Sequence, residues 1–122
     1  EDILNRRAFS SVIAHSAYPI DIHNPKGVGT DSHFLSEMGT YYSIPYETLY
    51  NREAENLLVG GRCISATFEA EAAIRTTPTA GALGQAAGVA AALAARGNGD
   101  VTALDVREIQ KCLREQGAYL DL

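Results

Sequence analysis

Two segments of the sequence combine residue types that bring the protein backbone close to a ligand. In the first, an apolar run ends in a double glycine, and in the second, a run of small residues begins at a proline. They comprise Gly60, Gly61 and Arg62, and then Pro78, Thr79, Ala80, Gly81 and Ala82. Glycine has no Cβ, and a helix N-terminus offers unpaired N–H groups with a partial positive charge. The two segments therefore suit a ligand that carries an anionic group or electron-rich carbonyls.

The same small residues also fit a purely structural role. Gly84 and Gly88 lie four residues apart in the second segment, a spacing that lets a helix pack tightly against a sheet. Arg75 precedes this segment, and its guanidinium has three candidate partners: a phosphate, a substrate oxygen or a structural carboxylate. From the residues alone, the ligand-binding and the packing interpretations both stay open.

The histidines are the other residues with catalytic chemistry. Asp21 and His23 alternate on an extended segment and so point to one face, which His33 can reach from a flexible loop. His15 and Asp31 are further acid–base groups in this region, but the spacing is not that of a metal site, and we predict none. His23 is the better candidate for acting on a substrate hydroxyl, and no catalytic residue is assigned.

Two helices are predicted in the second half of the chain. Residues 78–95 form the first, because proline is tolerated in a first turn and Gly97 and Gly99 follow the apolar run. Asp105 caps the second helix, and Glu108 completes a capping box. The apolar stripe of the second helix and the glycine that ends it are Val106, Ile109, Cys112, Leu113 and Gly117.

The first half of the chain has extended and irregular patterns. Residues 18–23 are typical of an extended segment, because a residue before proline avoids the helical region, and residues 24–32 are typical of a loop. Residues 41–46 favour a strand with Pro45 at its end or at a sheet edge, and their tyrosines are interpreted as packing residues. Residues 57–59 are typical of a strand buried on both faces of a parallel sheet. Residues 2–15 carry a weak helical pattern.

The bulk composition excludes several classes of protein. A chain of 122 residues forms at most one domain, and a net charge of −5 argues against a nucleic-acid binder. The pattern indicates neither a membrane span nor a basic membrane-surface helix. Cys63 and Cys112 have no metal-type spacing and are interpreted as buried thiols. We expect a soluble protein, cytoplasmic rather than secreted, which is processed or part of something longer because it begins at Glu1.

The whole chain resembles the C-terminal part of the FAD-dependent oxidoreductases, within the glutathione-reductase-like flavoproteins. Four stretches match in the expected order: YPIDIH at 18–23, YSIPY at 42–46, NLLVGGRCISA at 56–66, and Ile74-Arg75 with Pro78-Thr79 running into GQAAG at 84–88. Residues 105–110 and 116–118 are also typical of the family's end. The resemblance implies an α/β fold, a helix-rich C-terminal fragment of a Rossmann-like FAD-binding domain with one or two short strands. Residues 1–122 would then form a single segment without the N-terminal dinucleotide-binding part.

The resemblance also implies a role for each of the two glycine-containing segments. Residues 57–59 would be the last strand of the FAD-binding sheet, and residues 60–62 would pass the ribityl and pyrophosphate groups. The helix start at 78–82 would meet the pyrimidine edge of the flavin, where negative charge builds up on reduction. The complete protein would then transfer hydride from a small organic substrate to FAD, making it a flavoprotein oxidoreductase.

The sequence departs from the family pattern in two ways. Phe68 stands where family members often have histidine, and Gly27-Val28-Gly29 lacks the third glycine of a dinucleotide fingerprint. The adenosine half of FAD would therefore bind to an N-terminal part or a second chain. The alternative is a non-catalytic fragment or interaction module that does not bind FAD alone. It would self-associate as a homodimer through the Ala-rich helix and residues 41–46.

Overall fold

The computed structural model describes residues 2, 3, 5–24, 26–33 and 40–122, with the backbone alone for residues 30–33. In chain order, its strands and helices are β1 (Val12–Ser16), β2 (Ile20–His23), β3 (Thr30–His33), β4 (Tyr42–Pro45), α1 (Phe68–Ile74), α2 (Thr77–Arg96) and α3 (Val106–Glu115). Short 3-10 turns occupy Tyr46–Leu49 and Gly61–Cys63. The α/β class is confirmed, while the described residues contain more strands than the one or two expected.

The described strands form two antiparallel pairs. β1 pairs with β4, with an irregularity between Val12 and Ala14, and β2 pairs with β3 as a hairpin. The extended segment predicted around β2 is confirmed, and so is the strand that ends at Pro45. The loop predicted over residues 24–32 is wrong at its end, because β3 begins at Thr30 and pairs with His23.

The weak helical pattern over residues 2–15 gives a wrong prediction, since Val12–Ser16 form β1. The β-branched Val12 and Ile13 favour a strand, and pairing with β4 buries both side chains. A tertiary partner therefore outweighs a marginal local pattern.

The parallel strand predicted at residues 57–59 is also wrong. Leu58 makes only an isolated antiparallel bridge with Tyr50, and Leu57 is 55% exposed. The Val59 amide donates to the Leu49 carbonyl at 2.7 Å, which holds this segment against the 3-10 turn Tyr46–Leu49. An apolar run needs strands on both sides to become a central strand, and the described residues supply none there.

Both predicted helices are confirmed. Pro78 lies in the first turn of α2, and Gly97 caps its C-terminus. The Asp105 side chain accepts a hydrogen bond from the Arg107 amide and caps α3, and Gly117 ends α3 with a φ of +88°. These ends depend on local chemistry, so the sequence alone predicts them.

The helix α1 was absent from the predictions, although its sequence has helical character. Glu69 and Glu71 lie in its first turn, where they complement the helix dipole, and its alanines are strong helix formers. Its C-terminal residues pack into the core with the buried side chains of the other elements. The largest fully buried side chains are Tyr46, Leu49, Leu83, Ile109, Leu113 and Val12.

Two bulk expectations are also tested by the fold. Cys63 and Cys112 are unpaired, but the prediction that both are buried is wrong, because Cys63 is exposed and Cys112 is half-buried. Among the described residues, the helices fall short of the length and apolarity needed to cross a bilayer.

Candidate functional site

The segment at Gly60 crosses directly over the first half of α2. A Cβ placed on Gly60 would lie 3.1 Å from the Ala87 Cβ and 3.3 Å from the Gly84 Cα. Both distances are tighter than ordinary van der Waals contact, so glycine at position 60 permits a close crossing that a side chain would widen by a few tenths of an ångström. The structure therefore brings the two glycine-containing segments together, as both the packing and the ligand-binding interpretations expect.

Gly61 turns the chain at the edge of this crossing. Its φ of +83° lies in the left-handed region, where glycine is strongly preferred, and it opens the 3-10 turn Gly61–Cys63. A Cβ on Gly61 would lie 3.9 Å from the Ala80 carbonyl oxygen, so this turn sits beside the first turn of α2. Arg62 follows with an exposed side chain.

The N-terminus of α2 provides hydrogen-bond donors toward this region. The Ala80 amide donates to the Thr76 carbonyl at 2.8 Å, so helical bonding begins there. The preceding amides of Thr77 and Thr79 have no partner within the helix, and Pro78 has no N–H. The amides of Gly81 and Ala82 belong to the helical ladder, so the amides without a helical partner lie at the N-terminal end of the predicted range 78–82.

A buried hydroxyl network fixes this helix start to β1. The Thr79 hydroxyl, in a side chain only 4% exposed, donates to Ser16 Oγ at 2.9 Å and lies 3.0 Å from the Thr76 hydroxyl. The Tyr42 hydroxyl is 3.1 Å from Ser16 Oγ and 3.0 Å from the Ala73 carbonyl oxygen. Burial raises the pKa of Tyr42, so it remains a neutral donor. The Thr79 hydroxyl is thus a structural anchor, and Thr79 as a whole is buried, whereas Thr77 in the same turn is exposed.

The opposite side of α2 is bare. Gly81, Gly84 and Gly88 are exposed, and a Cβ built on any of them meets nothing within 4 Å. Of the two glycines for which the packing interpretation was given, Gly84 and Gly88, only Gly84 takes part in packing, through its Cα beneath Gly60. The start of α2 thus combines an anchored side with a side that exposes backbone.

Arg75 lies apart from this bare side. Its guanidinium donates to the Asp21 carbonyl oxygen at 2.9 Å and so links α1 to β2. Arg75 therefore has a structural role, which was one of its three candidate roles, but its acceptor is a backbone carbonyl and not the expected carboxylate. The structure brings the first turns of α2 together with Gly60 and Gly61. The side chains of Arg75 and Thr79 instead form hydrogen bonds with Asp21 and Ser16.

A second cluster, which the sequence patterns did not indicate, surrounds His15 on β1. The Asp121 amide donates to His15 Nε2 at 3.0 Å, and the Tyr41 hydroxyl donates to the Asp121 carboxylate at 2.5 Å. The rings of Tyr41 and Tyr119 lie 4.6 and 5.8 Å from the His15 ring. Burial lowers the pKa of His15 and outweighs the opposing effect of Asp121. The hydrogen bond to Asp121 raises the pKa of Tyr41.

The histidine and acid positions weighed for a metal are only partly described. His23 is exposed at the end of β2, and the side chains of Asp31 and His33 lie outside the described residues. Within the described part of the chain, no three His, Cys, Asp or Glu residues are grouped in a way that would hold a metal ion.

Comparison with known proteins identifies the chain at the level of its family. Neither the curated proteins nor the solved structures give a match. A family model described as FAD dependent oxidoreductase matches residues 1–113, nearly the whole of the chain. That match includes Gly60, Gly61 and the start of α2. The chain therefore belongs to the FAD dependent oxidoreductase family.

Proposed function

We propose that this chain is part of a flavin-dependent oxidoreductase and contributes the isoalloxazine and ribityl side of its FAD site. The observation that carries the proposal is the bare backbone at the start of α2, next to the Gly60 crossing. A flat ring can approach Gly81 and Gly84 because no side chain lies over them in the described structure. The family match supports FAD as the ligand of that surface.

The N-terminus of α2 would act on the electronic state of the ring. A helix of 20 residues places a partial positive charge at its start, and its first turn contains no acidic residue. The amide of the exposed Thr77 would donate to the pyrimidine edge, and the helix start would stabilise the negative charge that forms there on reduction. When bound, FAD would supply the acceptor for a hydride from an organic substrate.

Residues 60–62 would hold the part of the cofactor that follows the ring. Gly61 turns the chain beside α2 without a side chain, and a Cβ there would meet its nearest atom only at 3.9 Å, so a ribityl chain can pass close to the backbone at this turn. Arg62 is exposed, and its guanidinium would reach the pyrophosphate of FAD. Arg75 would support this site indirectly, by joining α1 to β2 just before α2 begins.

The adenosine half of FAD would bind outside this chain's described elements. Gly27, Val28 and Gly29 lie in the turn between β2 and β3, with Val28 fully exposed and no helix following the turn. That arrangement is unlike a dinucleotide-binding turn, which leads from a strand into a helix. We propose that an N-terminal part or a second chain supplies it.

A titration with FAD, followed by flavin absorption and fluorescence, tests the proposal. A saturable spectral change that also occurs with riboflavin would support a ring-side half-site, because riboflavin lacks the adenosine and phosphates. Arg62→Ala should weaken FAD binding and leave riboflavin binding unchanged, since riboflavin has no pyrophosphate. Absence of any saturable change with either flavin would contradict the proposal for this chain.

Self-association without flavin is the second candidate function. The bare side of α2 would also accept a second copy of the same helix, since Gly81, Gly84 and Gly88 form one exposed stripe. Analytical ultracentrifugation distinguishes the two candidates. A discrete dimer that persists at saturating FAD would favour self-association, and a monomer that binds flavin would favour the flavin site.

A further inference from the structure

Residues 119–122 follow α3 and fold back toward β1 without joining a strand or a helix. Just before them, the Ala118 amide still donates to the Leu113 carbonyl oxygen at 3.0 Å. Leu120 is 9% exposed and belongs to the core, whereas Tyr119 is 68% exposed. The position of this segment therefore depends on contacts with side chains of other elements rather than on a backbone ladder.

His15 on β1 holds this segment through one ring nitrogen. The Asp121 amide donates to Nε2 at 3.0 Å, so Nε2 is unprotonated and the ring proton lies on Nδ1, which is 3.3 Å from Ser43 Oγ. When the ring takes up a second proton, Nε2 becomes a donor and its N–H faces the N–H of Asp121. Two donors form no hydrogen bond, so the contact between β1 and this segment requires a neutral ring.

The other groups around His15 keep the ring neutral. Among the described residues, β4 contributes the uncharged Ser43, the residue before β4 is Tyr41, and the folded-back segment contributes Tyr119 and Asp121. The Tyr41 hydroxyl donates to the Asp121 carboxylate at 2.5 Å, which raises the pKa of Tyr41 and leaves it a neutral donor. The Asp121 charge favours a protonated His15, but burial of the ring outweighs it and lowers the pKa of His15.

We propose that protonation of His15 releases residues 119–122 from β1, so that this segment opens in response to pH. Leu120 would leave the core together with the segment, and the part of the core against which it packs would be uncovered. The opening is local, because α2 and α3 have their own hydrogen-bonded ladders. Neither His15 nor this segment belongs to the proposed flavin site, so the inference does not depend on flavin binding.

Backbone ¹⁵N relaxation between about pH 7.5 and about pH 5 tests the inference, because this interval spans the titration of a histidine. The order parameters of residues 119–122 should fall from about 0.85, typical of rigid backbone, to below about 0.6. The midpoint should coincide with the titration of the His15 ring signals, while the order parameters of α2 and α3 stay unchanged. A segment that stays rigid after His15 has titrated would overturn the inference, and so would a segment that is already mobile at the higher pH.

Substitutions at the cluster separate the histidine from the carboxylate. His15→Gln supplies an amide oxygen as an acceptor that does not titrate, so residues 119–122 should stay rigid throughout, whereas His15→Ala should leave them mobile throughout. Asp121→Asn keeps the backbone N–H and removes the charge, so release should persist and still follow the His15 ring. His23→Gln, at an exposed position on β2, is the control and should behave as the native chain. Release that is unchanged in His15→Gln, or abolished in Asp121→Asn, would overturn the inference.

Discussion

On the outward side of α2, Gly81 and Gly84 leave open space, whereas around His15 several side chains interlock. Both regions are attached to the same strand. Ser16 accepts the Thr79 hydroxyl, and its neighbour His15 accepts the Asp121 amide. Successive strand side chains point to opposite faces, so β1 anchors α2 on one face and holds the end of the described chain on the other.

The difference shows two ways of building a surface from one strand. At α2, the large apolar side chains face inward, and the outward side offers backbone and small residues to a ligand, together with Gln85, which donates to Gln116. At His15, the side chains satisfy one another and form a closed cluster. A substitution that adds atoms should therefore be harmful at the Gly60 crossing, and one that removes a hydrogen bond should be harmful at the anchors.

Gly60→Val should have the largest effect on stability. Its side chain would start 3.1 Å from the Ala87 Cβ and 3.3 Å from the Gly84 Cα, and overpacking of this kind costs about 2–3 kcal/mol. Urea unfolding followed by circular dichroism measures the free energy of unfolding. An unchanged unfolding midpoint would show that this segment does not pack on α2 as described.

Thr79→Val should destabilise the protein by about 1–2 kcal/mol, because it removes a buried hydroxyl from its partners Ser16 and Thr76. The substitution keeps the shape of the side chain, so packing is little changed. Thr77→Val, at an exposed position of the same turn, is the control and should have a much smaller effect. Equal costs for both variants would argue against the hydroxyl network as the anchor of α2.

The His15 cluster should make stability depend on pH. The pKa of His15 is lower in the folded protein than its ordinary value of 6.5, because burial disfavours the charged ring. The contribution of His15 to the free energy of unfolding is therefore fully present above pH 6.5, and it is lost as the pH falls through the pKa of His15 in the folded protein. Protonation also removes the acceptor that Nε2 offers to the Asp121 amide.

Urea unfolding at about pH 7.5 and about pH 5.5, above most carboxylate titrations, checks this dependence. His15→Gln should reduce the difference between the two conditions, while His23→Gln, at an exposed position, should leave it unchanged. If His23→Gln removes the dependence and His15→Gln does not, the account of the cluster is wrong.

Gly84→Ala should have the smallest effect on stability and the opposite sign. Its Cβ would meet nothing within 4 Å, and alanine favours a helix interior over glycine by about 0.5–1 kcal/mol. The same methyl group would stand on the surface proposed for the flavin, so flavin binding should weaken as stability rises. If the variant is stabilised and still binds flavin as tightly as the native chain, the flavin does not bind on the bare side of α2.

What the sequence could predict depends on how local the determinants are. The limits of α2 and α3 follow from Pro78, Asp105 and Gly117, which act within a few residues. β1 and the segment at 57–59 were predicted wrongly, because their structures depend on partners elsewhere in the chain. α1 has a local signal in its acidic first turn and its alanines, so its existence is predictable from sequence.

The residues of the candidate site likewise divide into those with local determinants and those that depend on distant partners. The glycine positions and the helix start were predictable, since glycine and proline have direct backbone consequences. The partners of Thr79, Arg75 and His15 lie 63, 54 and 106 residues away. No local pattern specifies such contacts, so the anchoring role of Thr79 and the His15 cluster emerge only from the fold.

The central claim is that the start of α2 and the Gly60 crossing together form a flavin half-site. Residue-resolved NMR of the ¹⁵N-labelled chain during titration with riboflavin tests it most directly. The account predicts saturable shifts of the amides of residues 60–62 and of Thr77, Thr79 and Gly81, with α3 and the His15 cluster unaffected. Saturable shifts confined to other elements, or no shifts at residues 60–62 and 77–81, would contradict it.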